Sequence, residues 1–180
     1  MMNARIIDNP VMDERIEFIK TAQETNGEML EFYQTLFRPQ SGFIREHTHF
    51  DIDETFEVIE GMASYRVNKV SGKATRGETI LIPKGIRHIN PFNEHDEKLV
   101  LKRVQRPDGG IENFYRKLYQ LAKEGKLNRK GEPGLLQISV IAKNNLTETY
   151  FTFLPVSFQK ILFYVLGNVG QALGYEHVPR

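Results

Sequence analysis

Between residues 14 and 106 the chain is a succession of short segments in which apolar and polar side chains alternate, interrupted by glycine, proline or clustered charge. A period of two is the mark of an extended strand with one face on a core. In ERIEFIKTA, Ile16 and Phe18 alternate with charged neighbours and predict a strand, although Ile19 breaks the strict pattern. In EMLEFYQTLF, residues 28–37, Leu30, Phe32, Gln34 and Leu36 share one face, while Met29, Glu31, Tyr33, Thr35 and Phe37 share the other. Both faces carry apolar residues, which predicts a strand covered on both sides. Further strands are expected at His47-Thr48-His49, from Glu54 onward, over MASYRVN after Gly61, and over residues 79–82, 87–92 and 98–105. The start of the chain to Pro10 reads as loose. Residues 70–77, with two glycines and two basic residues, read as an exposed turn. Strands this short and this closely spaced predict an all-β barrel or sandwich.

After Gly109 the period changes. Ile111, Phe114, Tyr115, Leu118, Leu121 and Ala122 recur at helical spacing and predict an amphipathic helix. NRKGEP is a polar turn, and GLLQISVIAKN is a second candidate helix, with Ile138, Val140 and Ile141 leaving a strand open. Residues 144–149 read as a loop. Pro155 opens a third helix whose apolar face is formed by Phe158, Ile161, Leu162, Val165, Leu166 and Val169. The pattern therefore divides the chain into a β domain, residues 1–109, and a helical extension, residues 110–180, expected to pack on the barrel or at a dimer interface. The polar side of the last helix offers Gln159, Lys160, Asn168 and Gln171 in place of the cationic face of a membrane-surface helix, and no stretch is long enough to span a bilayer. A membrane role is not expected.

Composition narrows the functional classes. At 180 residues the chain is long enough to bury a substantial core. Its 24 basic and 23 acidic side chains nearly cancel, so charge gives no case for a nucleic-acid partner. The absence of cysteine excludes disulfides and thiolate ligands and fits a reducing cytoplasm, where the protein is expected to reside. The N-terminus has no apolar run of signal-peptide length. Apolar residues on the outer strands and the last helix lead to the expectation of a homodimer.

The chemistry is concentrated between Gly42 and Gly61. His47 and His49, two residues apart on a strand, point to one face, and the acidic turn Asp51-Ile52-Asp53 lets the chain fold back to bring Glu54 beside them. Two imidazoles and a carboxylate are ligands for a divalent transition metal. A second stretch, GETILIPKGIRHINPF, carries Gly77, Pro83, Gly85 and His88.

Together these stretches resemble the two motifs of the cupins. In the first, HxH is followed by four residues, Glu54, six residues and Gly61, although the leading Gly42 lies four residues before His47 where five is commoner. In the second, Gly77, Pro83, Gly85 and His88 match, whereas Phe92 occupies the place of the final asparagine and Asn93 follows it. The resemblance covers residues 30–106. It implies a mainly β fold, the double-stranded β-helix or jelly-roll-like barrel, here followed by C-terminal helices. It also implies a divalent metal (Fe, Mn, Ni or Zn) bound by His47, His49, Glu54 and His88. The tail is similar to that of some bacterial single-domain cupins, which end a helix in a sequence like Leu173-Gly174-Tyr175.

Strand parity suggests the lining of the pocket. With Glu54 and His88 inward, Phe56, Val58, Asn90 and Phe92 follow them, and Arg45 shares the parity of His47. Tyr65 is a further candidate, as a proton donor or as packing. His95, in a charged loop, is expected at the surface. Two functional readings remain open. One is a metal-dependent oxygenase, isomerase or lyase acting on a small oxygenated metabolite; the other is a non-enzymatic module that binds a small molecule or sugar.

Overall fold

A computed structural model describes residues 4–40, 45–145 and 148–177. The strands are β1 (Ile6–Asn9), β2 (Glu14–Lys20), β3 (Leu30–Leu36), β4 (His47–His49), β5 (Asp53–Glu60), β6 (Met62–Val67), β7 (Val70–Thr75), β8 (Thr79–Ile82), β9 (His88–Phe92) and β10 (Leu99–Arg106). Helices α1 (Ile111–Lys123) and α2 (Leu135–Asn145), strand β11 (Thr149–Phe151) and helix α3 (Val156–Ala172) complete the chain. They form two antiparallel sheets, one in the order β1-β2-β3-β10-β5-β8 and the other β11-β4-β9-β6-β7. The non-sequential orders are those of a double-stranded β-helix.

Parity decides what each strand turns inward. On β2, Glu14, Ile16 and Phe18 are buried while the residues between them are exposed. On β3 the inward set is Leu30, Phe32, Gln34 and Leu36, and the outer side chains stay half-exposed, so this strand is covered on one side only. The outer face is polar enough to remain in water, with Glu31 paired to Lys102 at 2.9 Å. The same alternation buries Glu54, Phe56 and Val58 on β5, and Leu99, Leu101, Arg103 and Gln105 on β10.

Three segments differ from the pattern-based expectation. Residues 6–9 form β1, paired antiparallel with β2 through Ile7 opposite Ile16. Residues 70–75 form β7 because their backbone pairs along the whole of β6, even though only Ala74 is fully buried. Thr149–Phe151 forms β11, which pairs with β4 and places Thr149 opposite His49. Each is a short edge strand, held by its neighbour's hydrogen bonds and not by an apolar pattern of its own. Leading Gly42 lies outside the described residues.

The helices pack over one end of the barrel. Helix α1 starts where the Asp108 carboxylate accepts the amides of Gly110 and Glu112, at 2.8 and 3.0 Å. Its Ile111, Leu118 and Tyr119 enter one core cluster with Ile7, Ile16, Phe18, Leu30 and Phe32. GLLQISVIAKN resolves as helix α2. Helix α3 does not bury the large side chains expected of it: Phe158, Ile161, Val165 and Val169 are exposed, and its buried positions are Gln159, Gly167 and Gly170. The reason is close approach to α2. A Cβ on Gly167 would come within 2.8 Å of Lys143, and one on Gly170 within 2.6 Å of Val140, so the small face goes inward. No helix among the described residues is long and apolar enough to cross a membrane.

Candidate metal centre

Three strands from both sheets bring the four sequence-predicted donors together. His47 and His49 come from β4, His88 lies directly opposite His47 on β9, and Glu54 reaches across from β5 on the other sheet. One donor atom from each of the four lies within 4.8 Å of the others. His49, Glu54 and His88 are buried, and His47 is reached from the cavity.

The surroundings fix which nitrogen each ring presents. Nδ1 of His47 donates to the Arg45 carbonyl and Nδ1 of His88 to the Ile86 carbonyl, both at 2.9 Å, which leaves Nε2 as the free donor in each. Nδ1 of His49 meets the Thr149 hydroxyl at 2.8 Å, a contact supplied by β11. Nε2 of His88 then stands 2.9 Å from Glu54 Oε2, and Nε2 of His49 stands 3.5 Å from the same oxygen. Yet neither His88 Nε2 nor Glu54 Oε2 makes a hydrogen bond. Lone pairs facing each other in a buried site call for a cation between them. Donors about 2.1 Å from one ion lie roughly 3.0–3.4 Å apart at octahedral or tetrahedral edges, so the spacing and the N₃O donor set fit a divalent transition metal.

Electrostatics keeps the donors in their ligating forms. Burial pushes Glu54 up, but the neighbouring His49, the contact with His88 and the Arg103 guanidinium outweigh it and hold the carboxyl well below its ordinary range. Burial drives His47 down to about 3, helped by His49 and His88, and drives His49 down against the attraction of Glu54. The other oxygen of Glu54 accepts Gln105 Nε2 at 2.7 Å and Arg103 Nη2 at 3.3 Å, which fixes the carboxylate from behind.

A cavity of about 170 Å³ opens on this cluster. Arg45, Asn90 and Phe92 line it, with Arg45 also bonded to Glu132. Phe56 and Val58 do not: they lie further along β5 in a closed apolar core with Leu99 and Leu101, beyond the reach of the cavity. Tyr65 packs against that same core, over Gly72, and does not face the donors. His95 is half-buried, contrary to its charged surroundings in sequence.

Pattern reading missed a second polar group in the cavity: Glu14, Gln34, Arg103 and Gln105, with Tyr115 lining the same wall and Tyr119 bonded to Glu14. A signal existed. Glu14 shares parity with Ile16 and Phe18, Gln34 with Phe32 and Leu36, and Arg103 and Gln105 with Leu99 and Leu101. A polar residue on the apolar parity of a strand is either satisfied inside the protein or placed for a ligand.

The order of strands in the two antiparallel sheets defines the fold class, a double-stranded β-helix of the kind seen in cupins. Solved structures similar to this chain include KdgF from a Halomonas species, at 13% identity, TM-score 0.44, and coverage of 52% of this chain and 78% of that one. A predicted oxalate decarboxylase from Thermotoga maritima is 16% identical, with TM-score 0.48 and coverage of 57% and 90%. An RmlC-like cupin from Shewanella frigidimarina is 17% identical, with TM-score 0.47 and coverage of 58% and 85%. No protein-family model and no curated protein matches the sequence.

Proposed function

We propose that the chain is a metal-dependent enzyme, an oxygenase, isomerase or lyase, acting on a small oxygenated metabolite in the cavity. The observation that carries this reading is the convergence of His47, His49, Glu54 and His88 on one point, with His88 Nε2 and Glu54 Oε2 unbonded, at the wall of that cavity. A bound Fe, Mn, Ni or Zn would supply Lewis acidity, and dioxygen activation where the metal is redox-active. The chain's own groups do the rest. Phe92, Phe114, Leu118, Phe151 and Phe163 give the cavity apolar walls that exclude water and hold a carbon skeleton, and Asn90 and Gln105 offer polar atoms to orient it.

In this reading the helical segment 110–180 is a wall of the site, since α1, α2 and α3 each contribute lining residues. The exposed face of α3, with Phe158, Ile161, Val165 and Val169, supports a homodimer through a second copy of the same uncharged surface. A near-zero net charge and the lack of cysteine support a cytoplasmic protein with no nucleic-acid partner.

The test is oxygen uptake and substrate depletion with mixtures of small oxygenated metabolites, comparing metal-loaded with chelator-treated protein. Turnover that disappears on chelation is expected. Saturable binding without turnover would assign the cavity to a ligand-binding module instead.

A further inference from the structure

The cavity that opens on the histidine–glutamate cluster is lined by a second carboxyl group, outside the four clustered donors. Glu14 lines the cavity, is 5% exposed, and projects from β2 on the same face as Ile16 and Phe18. Its hydrogen-bond partners are neutral: Gln40 donates to Oε1 and Tyr119 donates to Oε2 at 2.7 Å. The Nη groups of the neighbouring Arg103 are engaged elsewhere, on Gln34 at 2.8 Å, on the Tyr115 hydroxyl at 2.6 Å and on Glu54, while its buried Nε makes no hydrogen bond. Arg103 is held over the rings of Phe32, Phe56 and Tyr115, with 4.6 Å to the centroid of Phe56. Hydrogen bonds therefore link Glu54, Arg103 and Gln34 on one side of this group and Glu14 and Tyr119 on the other.

This is an uneconomical way to fill a core. A buried carboxyl is ordinarily paired with a cation, and an apolar residue would pack here beside Ile16 and Phe18 at no desolvation cost. The groups that face Glu14 are Tyr115 and Tyr119 from α1 and Arg103 from β10, while β3 presents Gln34 and β1 presents Asn9. Burial outweighs them and pushes Glu14 up to about 7. Each of its oxygens retains a second lone pair for a ligand.

The charge around the cluster favours an anionic ligand. A divalent ion with three neutral imidazoles and one carboxylate would carry a net single positive charge, and the Arg103 guanidinium beside Glu54 adds a second, so the site favours an anion with two oxygens to chelate. The apolar walls take a carbon side chain. We propose that the cavity binds a small 2-hydroxy or 2-oxo acid through the cluster, and that Glu14 is the residue that exchanges a proton with it. In the forward direction the O–H bond of Glu14 breaks, an O–H bond forms on an oxygen of the ligand, whose lone pair takes the proton, and Glu14 is left as a carboxylate held by Tyr119 and Gln40. The reverse step returns the proton, so no oxidant or reductant is needed.

This inference rests on reading the cluster as a metal centre, and the experiment separates the two. Zinc-loaded protein is titrated calorimetrically at pH 8 with glycolate, lactate and 2-hydroxyhexanoate in two buffers of different ionisation enthalpy, which counts protons taken up per ligand. Wild type is expected to take up close to one proton more than Glu14→Gln, and above pH 7 its affinity is expected to fall about tenfold per pH unit relative to that variant. Tyr119→Phe keeps the carboxyl but removes a donor to its ionised form, and is expected to shift the midpoint of uptake to higher pH. Stoichiometric zinc with equal proton uptake in wild type and both variants overturns the role of Glu14, as does zinc-loaded protein that binds none of the three acids. Failure to retain zinc at all overturns the metal reading beneath it.

Discussion

The two ends of the barrel are built from the same strands and differ in what those strands turn inward. On β5 the inward residues run Glu54, Phe56, Val58, and on β10 they run Leu99, Leu101, Arg103, Gln105. At one end Val58, Leu99 and Leu101 close with Leu36, Ala63 and Ile80 into an apolar core. At the other, without any change of parity, the side chains become a carboxylate, a guanidinium and an amide around a cavity. The fold is supplied by one half of each strand and the chemistry by the other half. Polar residues can be afforded there because the remaining length of each strand, and helix α1 over the end, supply the burial that holds the register.

The comparison breaks most visibly if the helical cover is removed. A chain ending at Gly109 loses Ile111, Leu118 and Tyr119 from the shared core, each worth about 1.5–3 kcal/mol of burial before entropy is subtracted. It is expected to aggregate or to bind a hydrophobic dye, and a well-folded, monodisperse truncation would show that the open end of the barrel is stable without its helices. The closed end is probed by Leu99→Ala, which removes a fully buried side chain and is expected to cost about 2–5 kcal/mol by denaturant unfolding. Metal content should not change, since the lesion is confined to the closed end.

The open end should respond to pH where the closed end does not. The folded-state pKa of Glu14, about 7, lies above its ordinary 4.5, so the folded protein holds this proton longer than the unfolded chain. The contribution of Glu14 to stability is therefore greatest below pH 4.5 and is lost as pH rises through 7. Across that window the stability of Glu14→Gln relative to wild type is expected to rise by about 3 kcal/mol, at 1.36 kcal/mol per pKa unit. A flat difference would show that Glu14 is not desolvated. The smallest effect on the fold is expected at the outer face of α3. Ile161 and Val165 are 64% and 51% exposed, so replacing both with lysine should leave stability within about 1 kcal/mol while shifting the light-scattering mass from dimer to monomer.

The legibility of these parts in the sequence follows their physics. The inner strands announce themselves because burial imposes period two, and β8 spans residues 79–82 as its alternation predicts. Strands β1, β7 and β11 do not, because an edge strand is held by its neighbour's backbone and can carry almost any side chains. The four clustered donors are legible because HxH and its glutamate are local in sequence and Pro83-Lys84-Gly85 marks the approach to His88. The Glu14–Arg103 group is assembled from β2, β3, β10 and α1, whose proximity only the topology supplies. The α3 face was misleading for a related reason: helical periodicity shows that a face is apolar, but the glycines Gly167 and Gly170 decide which side meets α2.

The central claim is that the open end of the barrel is a metal centre, and metal content tests it most directly. Wild type, His49→Ala and His88→Ala are loaded with excess divalent metal, desalted and measured by elemental analysis beside their unfolding midpoints. Wild type is predicted to retain close to one ion per chain and both variants to retain little, with all three folded. Equal metal content in the three folded proteins would contradict the account.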